Sequence, residues 1–66
     1  MTRRWAVVRI DTDPHRVITD GHTSREEAAS EAERRAEQLP TGNYEARAEA
    51  ALRLDMAAGA PLRWTV

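Results

Sequence analysis

A strict alternation of apolar and polar residues over residues 44–56 constrains the fold of this chain more than any other feature. Every second residue from Tyr44 to Met56 is apolar, and Glu, Arg or Asp fills every gap except the one at Ala51. A period of two is typical of a β-strand with one buried and one exposed face. The pattern therefore predicts a long strand in a sheet that has one apolar face.

A helix over the same residues 44–56 is the competing prediction, because Ala, Glu, Arg, Leu and Met all have high helix propensity. In a helix the apolar side chains would lie on every side, whereas in a strand they share one face. We therefore favour the strand and keep the helix as the alternative.

An antiparallel hairpin is predicted near the start of the chain. Residues 4–11 include Trp, Val and Ile, which favour strands, and residues 15–20 include a second short run of Val, Ile and Thr. The linking sequence Asp-Thr-Asp-Pro, at residues 11–14, is typical of a turn. Because the link is short, the two strands are expected to pair antiparallel.

The most clearly marked helix is predicted to begin after residue 23 or 24 and to run to Gln38. Thr23 and Ser24 are both suitable N-cap residues, and each is followed three residues later by Glu, which is the capping-box pattern. Pro40 and Gly42 are expected to end the helix. Its buried face would consist almost entirely of small side chains: Ala28, Ala29, Ala32, Ala36 and Leu39.

A last strand is predicted at residues 62–66, where Leu, Trp and Val alternate with Arg and Thr. Together the elements predict a small two-layer α+β fold of type ββαββ, in which one helix packs on one face of an antiparallel sheet. We expect residues 1–66 to form a single small domain, because a chain of this length cannot build two cores.

The apolar residues available for a core are few, and the sequence has no cysteine. Small domains without disulfides or metals bury little surface, and they often gain stability by self-association. We therefore expect a homodimer, or an accessory domain that binds a larger protein.

Composition argues against some classes of partner. The formal net charge is −1, so no overall field attracts nucleic acid or an acidic membrane. No apolar run is long enough to span a bilayer, and we expect a cytoplasmic protein with no membrane partner. Every basic residue is arginine and alanine is abundant, a composition typical of very GC-rich genomes such as those of actinobacteria or their phages.

One exposed face of the sheet is predicted to carry arginine and an aromatic residue. If Ala6, Val8 and Ile10 face the helix, the opposite face holds the candidate interaction residues: Arg3, Trp5, Val7, Arg9, Arg47, Arg53 and Arg63. Arginine and tryptophan are enriched in protein interface hot spots. We therefore expect this face to contact a second copy or a larger protein, with Trp5 either as an anchor or as part of the core.

Nucleic acid is the alternative partner, because arginine and aromatic side chains also stack on single-stranded nucleic acid. Three acidic residues on the same face, Glu45, Glu49 and Asp55, argue against a surface that follows phosphates. A plain solvated face is the third interpretation.

No catalytic or cofactor-binding motif is found in the sequence. It has no Gly-rich phosphate loop, no cysteine nucleophile and no Ser-His-Asp spacing typical of hydrolases. Five residues near the hairpin could in principle hold a divalent cation, but their spacing matches no known metal loop: Asp11, Asp13, His15, Asp20 and His22. We therefore expect a non-enzymatic protein with no metal and no cofactor.

Residues 21–28 read Gly-His-Thr-Ser-Arg-Glu-Glu-Ala, and they connect the predicted strand pair to the predicted helix. This arrangement resembles the HicB antitoxin family, in which a hairpin leads into a helix that starts Gly-x-Thr-x-Glu-Glu-Ala. The present sequence has one extra residue after Gly21 and lacks the family's third strand before the helix. The resemblance implies a regulatory protein that binds and neutralises a partner, and it assigns no functional residues.

Overall fold

An antiparallel hairpin begins the fold, as the sequence predicts. The computed structural model describes residues 3–66, and in it β1 (Trp5–Arg9) pairs antiparallel with β2 (His15–His22). The pairing is irregular, because Ile18 is an extra residue between the two positions of β2 that face Val7 and Val8. Such a bulge bends the strand and increases its twist.

The predicted helix, α1 (Arg25–Gln38), is confirmed. Ser24 is its N-cap, and its Oγ accepts a hydrogen bond from the backbone N–H of Glu27 at 3.1 Å. Ala28 and Ala32 are the buried residues of α1, which lies mainly against β1 and the third strand described below. Ala28 and Ala32 of the predicted alanine face thus meet the sheet, whereas Leu39, which was expected on that face, is 39% exposed at the C-cap.

The long strand predicted at residues 44–56 is only half correct. β3 (Tyr44–Ala48) pairs antiparallel with β1, and the chain then turns directly into α2 (Glu49–Ala57). Leu52 is 2% exposed and Leu54 is 72% exposed, although a strand would place both on one face. The alternative helix prediction is therefore the correct one for residues 49–56.

The physical reason for the change at Glu49 is the end of the partner strand. Trp5, the first residue of β1, faces Ala48, and the N–H of Glu49 makes one further bond to the carbonyl of Arg4 at 3.0 Å. Within residues 3–66, no strand extends β1 alongside residues 49–57. Their high helix propensity then decides the local structure.

The last strand, β4 (Leu62–Trp64), is confirmed as a strand, but it runs parallel to β2. The sheet has the order β3-β1-β2-β4 and is mixed. The α+β class is correct, whereas the purely antiparallel sheet and the single helix are wrong. The segment containing α2 carries the chain from β3, at one edge of the sheet, to β4, at the other edge next to β2. A parallel arrangement of strands needs a crossover connection of this kind, because a tight hairpin can join only antiparallel strands.

Apolar side chains form a cluster on each face of the sheet, and β1 contributes to both. Ala6, Val7 and Val8 are consecutive and all at most 1% exposed. The α1-side cluster contains Val7, Ala28 and Ala32, with Trp5, Tyr44 and Ala46 packed against it. The α2-side cluster contains Ala6, Val8, Val17 and Leu52, with Ile10, Leu62 and Trp64 packed against it.

Candidate functional site

The single exposed face predicted from the sequence is not found in the structure. Val7 is fully buried and Trp5 packs against the α1-side cluster, because α1 covers this face of β1. Arg47 lies on the opposite face of β3, paired with Glu45, and Arg53 lies on α2 rather than on a strand. Arg3 is exposed ahead of β1. Contact of these residues with a partner stays a prediction.

Two of the predicted interaction residues, Arg9 and Arg63, do belong to one surface. Arg9 faces Arg16 across the β1–β2 pairing, and Arg16 faces Arg63 across the β2–β4 pairing. Residues that face each other in a sheet point to the same side. We call this set of three side chains the arginine row. The sequence did not predict Arg16 as a member, because only the strand register shows that Arg16 lies between Arg9 and Arg63.

Arg9 is the member of the arginine row with a carboxylate partner. Its Nε and Nη2 donate to Asp11 Oδ1 and Oδ2 at 2.9 and 3.1 Å, and its guanidinium lies 5.9 Å from the centre of the Tyr44 ring. Asp11 also accepts the N–H of Asn43 at 3.2 Å. The hydrogen bond from Arg9, supported by the one from Asn43, lowers the pKa of Asp11 from 3.8 to about 2.

Acid should weaken the ion pair between Arg9 and Asp11 over a defined range of pH. Because the pKa of Asp11 is lower in the folded chain, its carboxylate stabilises the fold above about pH 4, and the contribution is lost as the pH falls through about 2. We expect Asp11→Asn to be less stable than the original chain at neutral pH, with the difference closing in acid. Urea midpoints over a pH series measure this, with Asp13→Asn in the same loop as the control. A difference that is constant with pH would contradict it.

The other two members of the arginine row are exposed and lie beside an open groove. Arg16 and Arg63 make no ion pair within residues 3–66. The groove has a volume of about 340 Å³ and is lined by both arginines with Val17, Ile18 and Thr65. It opens on the part of the sheet formed by β2 and β4, whereas α1 packs mainly on β1 and β3.

The outer edge of β3 is a second notable surface. Two backbone hydrogen bonds flank the β1–β3 pairing: Ile10 N–H donates to the carbonyl of Asn43, and Glu49 N–H donates to the carbonyl of Arg4. In an antiparallel pair, every second residue bonds to the neighbouring strand. Between these two bonds, Glu45 and Arg47 therefore direct their backbone groups to β1. The backbone N–H groups of the alternate residues, Tyr44, Ala46 and Ala48, therefore point away from the sheet. We call this side of β3 the free edge.

A cavity under α2 brings polar and apolar groups together. It has a volume of about 270 Å³, and its wall includes His15, Arg47 and Asp55 beside Leu52 and Leu62. Arg47 forms an ion pair with Glu45, with 2.7 Å between Arg47 Nη2 and Glu45 Oε2. No hydrogen bond joins the side chains of His15, Arg47 and Asp55 to one another within residues 3–66.

His22 is the centre of a hydrogen-bonded group at the start of α1. Its Nε2 lies 2.8 Å from Thr19 Oγ1, and its Nδ1 lies 3.2 Å from Glu27 Oε1. A hydroxyl, an imidazole and a carboxylate in this order can activate a nucleophile. Here Glu27 also accepts the hydroxyl of Thr23 at 2.9 Å, and Thr19 lines neither of the two cavities above. The group holds the helix entry in place.

Within residues 3–66, no three His, Asp or Glu side chains lie close enough together to hold a metal ion. Neither α1 nor α2 has the length and apolar character needed to cross a membrane. Comparisons of the chain with protein-family models, curated proteins and solved structures find no match. The resemblance to the HicB family thus stays a prediction.

Proposed function

We propose that this chain is a small non-enzymatic interaction module that forms a homodimer by pairing the free edge of β3 with the same edge of a second copy. The observation that carries the proposal is the charge pattern of this strand. Glu45 and Arg47 flank Ala46, so the strand is complementary to itself when two copies run antiparallel.

The geometry of such a pair follows from the strand register. With the two-fold axis at Ala46, the outward backbone groups of Ala46 bond to those of the partner's Ala46, and the N–H of Ala48 reaches the carbonyl of the partner's Tyr44. Glu45 then lies opposite the partner's Arg47, in the closer, non-hydrogen-bonded type of position. The ion pair between Glu45 and Arg47 within each strand, at 2.7 Å, is then replaced by two ion pairs between the strands, each joining Glu45 of one copy to Arg47 of the other.

The contrast between the two sheet edges supports the choice of β3. β4 is only three residues long, and a very short edge strand protects a sheet from further pairing. β3 has five residues, with no proline and no bulge in its pairing with β1. Charged side chains can protect an edge strand from pairing. On β3, however, Glu45 and Arg47 have opposite signs, so they attract rather than repel the same strand of a second copy related by a two-fold axis.

We expect a weak dimer, with a dissociation constant on the order of micromolar, because pairing of a short edge buries less than a standard interface. Light scattering after size exclusion, over a concentration series, measures the association. A high nucleic-acid absorbance that disappears in strong salt would favour the alternative partner, nucleic acid.

Charge reversal gives a sharp test of the pairing. Glu45→Arg or Arg47→Glu places like charges opposite each other twice per dimer, which should weaken association by about tenfold to a hundredfold. A mixture of the two variants should form a heterodimer, because all four facing charges are then opposite in sign. Arg34→Glu, on the exposed side of α1, is the control. If each single variant associates as the original chain does, the proposal is wrong.

A further inference from the structure

We infer that Arg16 and Arg63 form a binding site for the phosphate group of a small phosphate monoester. The two arginines are neighbours on adjacent parallel strands, in register, on the same side of the sheet. Adjacent strands are about 4.8 Å apart, so two guanidinium groups can close on one phosphate. The planar fork of arginine matches the oxygens of phosphate in pairs.

The first argument is that this pair of charges has no counter-ion in the part of the chain that the structure describes, residues 3–66. Arg34 and Arg35 are paired with Glu31, Arg53 with Glu49, and Arg9 with Asp11. Asp20, on the same strand as Arg16, instead accepts the indole N–H of Trp64 at 2.8 Å. Like charges that face each other destabilise a sheet, so an anion that binds between them relieves a cost already present in the fold.

The second argument is the shape and lining of the groove. Its volume of about 340 Å³ suits a small molecule, and Thr65, the residue after β4, also lines the groove and adds a hydroxyl donor. Ile18 provides an apolar wall for the organic part of the ligand. A monoester carries a dianionic phosphate near neutral pH, and it therefore fits two cations better than a carboxylate does.

The lining also distinguishes a small ligand from a nucleic acid strand. Single-stranded nucleic acid needs aromatic platforms beside the cations. Trp64 packs in the α2-side cluster, on the other side of the sheet, and Tyr44 packs in the α1-side cluster beneath Arg9. Because Asp11 already neutralises Arg9, only two charges of the arginine row remain available.

The test is a titration of the full chain with phenyl phosphate, followed through the backbone and guanidinium N–H signals by NMR. Sodium chloride of equal ionic strength and benzoate serve as anion controls, and a single-stranded oligothymidylate serves as the nucleic acid. We expect saturable shifts at Arg16, Arg63 and Thr65 with phenyl phosphate alone. Arg16→Gln and Arg63→Gln should each weaken binding by about tenfold or more, while Arg34→Gln should bind as the original chain does.

A thermal measurement separates this site from a structural role of the arginines. Without ligand and at low salt, Arg16→Gln should melt about 1–5 °C higher than the original chain, because a repulsion is removed. Phenyl phosphate should raise the melting temperature of the original chain and not that of the variant. Absence of saturation, equal binding of benzoate, equal loss in Arg34→Gln, or tighter Arg16-dependent binding of the oligothymidylate would each overturn the inference.

Discussion

Leu52→Ala should destabilise the chain far more than truncation of an exposed side chain on α2. Leu52 is 2% exposed and is the largest fully buried side chain, packed with Ala6, Val8 and Val17. Truncation of a buried leucine costs about 2–5 kcal/mol. A domain of this size has only a few kcal/mol of stability to lose. We expect a melting temperature lower by roughly 10 °C or more, or an unfolded chain.

Leu54→Ala is the matched control, because it makes the same chemical change two residues away on the same helix. Leu54 is 72% exposed, so its truncation should change the free energy of unfolding by less than about 0.5 kcal/mol. Urea denaturation of both variants measures the difference. Equal losses would mean that the two leucines share a buried face, as the strand prediction for residues 49–56 required, and that α2 is wrong.

The second large effect is expected at Glu49, a carboxylate that is 5% exposed at the start of α2. Its Oε2 accepts the backbone N–H of Gly21 at 2.7 Å, and its Oε1 lies 3.5 Å from the Arg53 guanidinium. Gly21 has a positive φ of 73° in the distorted end of β2. Glu49 therefore ties the first turn of α2 to the part of the hairpin where the strand pairing is irregular.

Glu49→Ala should cost about 1–3 kcal/mol, because it leaves the Gly21 N–H without its acceptor. Glu49→Gln keeps an acceptor oxygen and should lose less. Glu33→Ala, on the exposed side of α1, is the control and should stay within about 0.5 kcal/mol of the original chain. Urea midpoints report the stability, and hydrogen exchange at Gly21 reports the local contact. Equal stability of the Ala and Gln variants would contradict this role.

The parts of the fold that could be predicted from the sequence are those set by local signals. The capping residue Ser24 and the turn between β1 and β2 act within a few residues, and both elements form as expected. The alternation of residues 44–56 favours a strand, whereas their residue types favour a helix. What decides between them is that β1 begins at Trp5 and its pairing with β3 ends at the bond from Glu49 to Arg4, a tertiary fact that the local sequence does not contain.

The surfaces depended still more on tertiary structure. The prediction of one exposed face assumes a single helix and places Trp5 and Val7 on that face for contact with a partner, whereas the structure has a helix on each face of β1. Arg16 joined Arg63 only through a parallel pairing that follows a crossover. A bulge in β2 also shifts the alternation of side chains along the strand, and a bulge cannot be read from a simple period of two.

The unequal length of the two sheet edges limits how far the chain can assemble. A sheet with two long open edges can add copies indefinitely, and such growth leads to fibres. Here the far edge, β4, offers only three residues. Contact through the β3 edge uses the same surface on both copies, and it is consumed once two copies meet. In the proposed dimer, association through the sheet would therefore stop at two copies, because only the three-residue β4 strands remain as edges.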